Sequence, residues 1–274
     1  MAVMQSMISR TASSLDGTSI SYETIGSGPG LVLVHGTCRA AEHYRPLAEK
    51  LAAAFTVHVM NRRGRAASGA QGKNYSVAKE CEDVTALLRE TGSSLLLGHS
   101  YGGFVGLEAA RNCTLKKLAV YEPAGWPLPM EWAAGFERAL ERKDELEAFT
   151  LFVKGLGMDR SIANIPKAAL KILFRLTSAR GAEWQLTKKL LHTVIPEIRE
   201  VMHQSKTENY RGVKAHTLIM AGRKTPDYMQ NIAAAVHDAV PDSTLLMLPE
   251  LNHNAPDLHA PRQVAKHVLE FFTG

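Results

Sequence analysis

Cysteine is scarce in this chain: Cys38, Cys81 and Cys113 cannot all pair, and they show no metal-ligand spacing. A disulfide scaffold and a cysteine-built metal centre are both excluded, and reduced thiols fit the cytoplasm. Long hydrophobic runs are missing too, so the chain is not expected to span a membrane. Met1 to Arg10 have neither the basic start nor the continuous apolar block of a secretory leader. The net charge of +5 lacks the clustering, and the aromatic interleaving, of a nucleic-acid binder. Its one dense cluster, Arg62-Arg63-Gly64-Arg65, reads as a solvated or salt-bridged loop rather than a phosphate site. No internal repeat or low-complexity linker is found. Nucleic-acid and membrane partners are therefore not expected, and no feature sets the oligomeric state.

What is present is the composition of a soluble globular protein, with 45% hydrophobic residues, 22% charged residues and a mean hydropathy of -0.12. At 274 residues, one large core with an insertion is expected. The Asp16-Gly17 turn and the alternation over Thr18 to Glu23 predict an N-terminal hairpin. Six short apolar runs follow: Leu31 to Val34, Thr56 to Val59, Ser94 to Leu97, Leu115 to Tyr121, Thr217 to Ala221 and Ser243 to Leu248. They alternate with helical segments such as Ser76 to Thr91 and Ala260 to Phe272, which is the pattern of a parallel sheet buried on both faces. The roughly ninety residues between Tyr121 and Thr217 carry helical periodicity without a convincing strand, far beyond a usual crossover. They predict a helical insert with Trp126, Trp132, Phe136, Phe149, Phe152, Phe174 and Trp184 as its apolar bulk. The predicted boundaries are a core over 1–124 and 214–274 and a cap over 125–213.

The most informative stretch is Leu95-Leu96-Leu97-Gly98-His99-Ser100-Tyr101-Gly102-Gly103, a buried strand turning sharply into a helix with serine at the apex. Side chains two residues before and after that apex would collide, and glycines occupy both places. Ser100 is thus a candidate nucleophile. A serine hydroxyl needs a base, and His253, in the loop after Leu245 to Leu248, sits where open parallel sheets build their sites. His259 is the fallback, and His99 is expected to pack beneath the site. Two carboxylates compete to orient the imidazole. Glu122 directly follows the Leu118 to Tyr121 run, whereas Asp227 already has a structural role if Thr225 caps a helix and Pro226 opens it. Glu122 is therefore preferred, with Asp227 as the alternative acid. Oxyanion donors are expected from the Tyr101 amide and from the Thr37 amide, with Cys38 as its neighbouring alternative. His35 would brace that loop, and the Cys38 thiol makes a poor nucleophile because no motif surrounds it.

Across nearly its whole length the chain resembles the α/β-hydrolase superfamily, through His35-Gly36-Thr37, the Arg62 to Gly69 run, Gly98 to Gly103, Tyr121-Glu122-Pro123 and the His253 loop in that order. The resemblance implies an eight-stranded, mostly parallel sheet with a helical cap inserted after the sixth strand. Two departures stand out. Asn61 replaces a common aspartate, and Thr225 stands where many members carry the catalytic aspartate. The second agrees with relatives whose acid moves to the end of the sixth strand, where Glu122 lies. The implied activity is cofactor-free and metal-free hydrolysis of a small, largely apolar ester, lactone or related acyl compound. The alternatives are perhydrolysis, carbon–carbon hydrolysis or cyanohydrin cleavage at the same site, or a non-catalytic homologue that binds a small ligand.

Overall fold

The computed structural model describes residues 6–158 and 160–274. The first five residues of the Met1 to Arg10 segment lie outside it. The strands are β1 (Ile8–Ser13), β2 (Ser19–Ile25), β3 (Gly30–Val34), β4 (Thr56–Met60), β5 (Leu95–His99), β6 (Lys117–Tyr121), β7 (His216–Gly222) and β8 (Ser243–Leu248). They form one sheet in the order β1-β2-β4-β3-β5-β6-β7-β8. β1 and β2 make the predicted hairpin, β2 runs antiparallel to β4, and all other neighbours are parallel. The strands match the apolar runs with small differences. Ser94 lies outside β5, and Leu115 and Lys116 lie outside β6, where the Lys116 amide bonds the Ser94 carbonyl at 2.8 Å just before pairing begins.

Alternation along the strands builds two cores. Leu31, Leu33, Leu95, Leu97, Val57 and Val59 face α1 (Arg45–Leu51) and the C-terminal helix Pro261–Thr273. Val32, Val34, Leu96, Leu118 and Val120 face α2 (Val77–Thr91) and α3 (Tyr101–Ala110) on the other side. Helix α2 begins where Ser76 Oγ accepts the Lys79 amide, and it stops at Gly92, whose φ of 63° suits a left-handed C-cap.

Among the described residues, only helices and turns lie between β6 and β7. The helices are α4 (Ala133–Glu141), α5 (Glu145–Leu156), α6 (Arg160–Ala163), α7 (Lys167–Thr177), α8 (Gly181–Leu190) and α9 (Val194–Gln204). Trp132, Phe136, Phe152, Leu190 and Ile198 form a third apolar cluster, which Cys38 joins from the loop after β3. Trp126, expected among the insert's bulk, is instead 51% exposed. After β7 comes α10 (Asp227–Ala239), and the chain ends in α11 (Pro261–Thr273).

Candidate active site

Ser100 sits between β5 and α3 at φ 54°, ψ -122°, a conformation that disfavours any residue with a side chain. The surrounding backbone imposes it. The Ser100 amide donates to the Tyr121 carbonyl at 3.0 Å, and its own carbonyl accepts from Gly103, Phe104 and Ala124. A side chain at Gly98 would strike the Gly102 carbonyl. One at Gly102 would strike the carbonyls of Val34 and His35, so the second glycine clears β3 rather than β5. Cys38 at φ 56° and Glu122 at φ 43° are further non-glycine residues with positive φ, so the end of each of three neighbouring strands holds one.

The loop after β8 brings His253 to this apex. Its Nε2 lies 3.1 Å from Ser100 Oγ, and its Nδ1 lies 2.8 Å from Glu122 Oε2. The other carboxylate oxygen of Glu122 accepts the Gly222 amide at 2.7 Å, so both oxygens of a fully buried carboxylate are engaged. Gly222 must be glycine here, because a side chain would run into the Leu251 carbonyl of the His253 loop. Asp227 is not brought to His253. Its side chain is 85% exposed and ion-paired with Arg160. The capping expected of Thr225 is not observed either: the buried Thr225 hydroxyl turns back to donate to the Gly222 carbonyl at 2.6 Å, and Pro226 occupies the N-cap.

A second layer fixes the imidazole. His99 is buried, as expected, with its ring 4.8 Å from that of His253 and its Nε2 donating to the His253 carbonyl at 2.9 Å. The Tyr44 hydroxyl donates to His99 Nδ1 and accepts the Gly36 amide. Burial, reinforced by His253, lowers the pKa of His99 to about 3, so the ring stays neutral and keeps this pattern. His259 hydrogen-bonds Asn252 and does not join the cluster.

The loop after β3 closes the other side. Gly36 lets it approach to where an added side-chain carbon would lie 3.1 Å from Ser100 Cβ. His35 braces it, donating from Nδ1 to the Gly36 carbonyl at 2.9 Å and accepting the Arg62 amide on Nε2. Burial and the charge of Arg62 hold His35 well below the usual histidine range. Arg62 was not recognisable as part of this site from sequence. Its Nη1 donates to the Gly36 carbonyl at 3.3 Å, and its guanidinium lies 4.4 Å over the Tyr101 ring. It therefore touches the peptide whose N–H belongs to Thr37 and the residue whose amide opens α3.

The basic cluster is salt-bridged, as one of the two expected readings had it, and it is buried rather than solvated. Arg62 pairs with Glu80 and Glu197, Arg63 with Asp83, and Arg65 with Glu197. Burial would raise the Glu80 carboxyl, but the Arg62 charge outweighs this and holds it below the usual range.

A cavity of about 320 Å³ opens over Ser100. One wall carries Ser100, His253, Thr37, Arg39 and Asp257, and the other carries Phe149, Phe152, Leu156, Phe174 and Ile198 from the inserted helices. Arg39 Nε donates to Asp257 Oδ2 at 2.5 Å. Burial alone would raise the Asp257 carboxyl, yet Arg39 holds it below the usual range. Sequence gave no sign of this pair, whose members lie 218 positions apart. The Cys38 thiol is buried, which pushes it up to about 11 and leaves it a protonated packing group. Among the described residues, no group of three His, Cys, Asp or Glu side chains could hold a metal ion. No helix there is long and apolar enough to cross a membrane.

A profile described as the alpha/beta hydrolase family matches residues 31–267. A pimeloyl-acyl-carrier-protein methyl ester esterase of Aeromonas hydrophila is 30% identical over 156 residues, covering 52% of this chain and 60% of that protein. An uncharacterised hydrolase of Bacillus subtilis is 33% identical over 34% of this chain and 35% of its own length. The matches thus span less than two thirds of these curated relatives. Among solved structures, an alpha/beta hydrolase from Sphaerobacter thermophilus aligns with a TM-score of 0.79 and 29% identity, covering 96% of this chain and 100% of that one. An enol-lactonase from Burkholderia xenovorans aligns at 0.70 and 18% identity over 97% and 100%, a likeness of fold alone.

Proposed function

The chain belongs to the α/β hydrolase family, and on that premise we propose that it is a serine hydrolase cleaving a small, largely apolar ester or lactone through an acyl-enzyme. The observation that carries this is the continuous contact from Ser100 Oγ through His253 to Glu122, at 3.1 and 2.8 Å, at the floor of an apolar cavity. Ser100 attacks the acyl carbon as His253 Nε2 takes its proton. Glu122 holds Nδ1–H in place and stabilises the imidazolium that forms. The amides of Thr37 and Tyr101 receive the developing oxyanion. The Tyr101 amide is the first in α3 and has no acceptor within its own helix. The imidazolium then protonates the departing alkoxide, and water attacks the acyl-enzyme with His253 again as base. Residues 125–213 serve as a cap that supplies the apolar wall and keeps bulk water from the acyl group.

Supporting this reading, the curated relatives include a methyl ester esterase. The test is turnover of p-nitrophenyl esters of increasing acyl length by the wild type and by Ser100→Ala. The variant should lose roughly three to six powers of ten in kcat. Equal turnover by both proteins would overturn the assignment.

A further inference from the structure

Helix α7 packs through Leu170 and Phe174, yet it carries a second apolar strip on its outer side. The cations Lys167 and Lys171 pair with acids at the start of α5, with Lys167 Nζ 2.6 Å from Glu147 and Lys171 Nζ 2.8 Å from the N-cap Asp144. Leu170 is buried, and Phe174 lines the cavity. The apolar residues at i, i+1, i+4, i+5 and i+8 from Ala168, namely Ala169, Ile172, Leu173 and Leu176 with Ala168 itself, all face solvent. Ile172 is 59% exposed, Leu173 42% and Leu176 58%. Such a contiguous stripe marks an interaction surface.

Charge identifies its occupant. Residues 167–189 contain six cations and one acid, Glu183. Arg175, Arg180, Lys188 and Lys189 form no ion pair among the described residues. A helix with an exposed aliphatic stripe and unneutralised arginines beside it fits an anionic lipid surface, into which the stripe sinks while the guanidinium groups meet head groups. We propose that α7 seats this protein on an anionic lipid–water interface, with its inner face roofing the cavity about one helix diameter, roughly 10 Å, away. Apolar molecules dissolved in that interface would then lie next to the cavity. The sequence-based expectation of no membrane partner rested on the lack of a spanning helix, and surface docking requires none.

The test is co-sedimentation of the full chain with phosphatidylcholine vesicles, with and without phosphatidylglycerol. The wild type should pellet with the anionic vesicles and detach as salt is raised. Ile172→Gln/Leu173→Gln/Leu176→Gln should bind on the order of a hundredfold more weakly, with an unchanged thermal melt and unchanged turnover of a water-soluble ester. Arg175→Gln/Arg180→Gln should lose the preference for anionic vesicles. Wild-type protein that stays in the supernatant, or a triple variant that pellets equally, overturns the proposal. So does a wild-type dimer in sedimentation equilibrium that the triple variant converts to monomer, because a second copy would then cover the stripe. The vesicle readout needs no turnover, so it stands apart from the hydrolase assignment.

Discussion

At Glu122 the structure separates two carboxylates that compete for one role in the sequence. Both follow apolar strands, but only Glu122 is buried with each oxygen bonded, to His253 and to the Gly222 amide. Asp227 faces solvent beside Arg160. Glu122→Gln should therefore lower kcat by about two to four powers of ten, and Asp227→Asn should change it less than about twofold. Parallel kinetics on one ester decide this, and the reverse ranking would refute it. Ser100 and His253 were legible because the glycine spacing and the strand-end positions are local signals. Glu122 was legible only because Asp227 had another explanation, and that explanation was partly wrong, since Thr225 does not cap the helix. A further consequence concerns pH. His35 and His99 are buried with depressed pKa values, to about 3 for His99. As pH falls below about 6.5, the unfolded chain takes up protons that the native rings refuse. Stability present above that value is lost at up to about 1.4 kcal/mol per pH unit for each ring. Urea unfolding between pH 7 and 4.5 should show a falling midpoint, with a shallower fall in His99→Gln. A midpoint independent of pH in both proteins would contradict this.

Among the elements, the loop after β4 does the most with the least sequence signal. Its arginines bind α2 through Glu80 and Asp83 and the inserted helices through Glu197, 132 positions beyond Arg65. Pairings so distant leave no periodicity to read, which is why a buried network resembled an ordinary charged loop. Glu197→Ala would leave the buried Arg65 guanidinium without an acid and take from Arg62 one of its two, and should cost about 3–5 kcal/mol in urea unfolding. A loss below about 1 kcal/mol would show that the network contributes little. Arg62 also contacts the Gly36 carbonyl and the Tyr101 ring. As a positioning residue for the two amides proposed to receive the oxyanion, it should affect kcat rather than KM. Arg62→Met should lower kcat by about ten- to a hundredfold at similar KM, with partial rescue in Arg62→Lys. A change confined to KM would argue against this role.

For the molecule as a whole, the parallel part of the sheet aligns the ends of β3, β5, β6 and β8 on one edge, so residues from Thr37 to His253 meet although no two share an element. The sheet and its helices were legible because short apolar runs buried on both faces and amphipathic helices have different periods. The outward stripe of α7 was not, because periodicity reveals that a helix has an apolar face and not which way that face turns. The inserted helices and the buried Arg–Glu network hold this edge under cover, with Ser100 at its centre. The most direct measurement is labelling of the folded protein with a fluorophosphonate, followed by peptide mapping. A covalent adduct is expected on Ser100, retained in Asp227→Asn and lost in His253→Ala. An unlabelled wild type, or an adduct only at another residue, would contradict it.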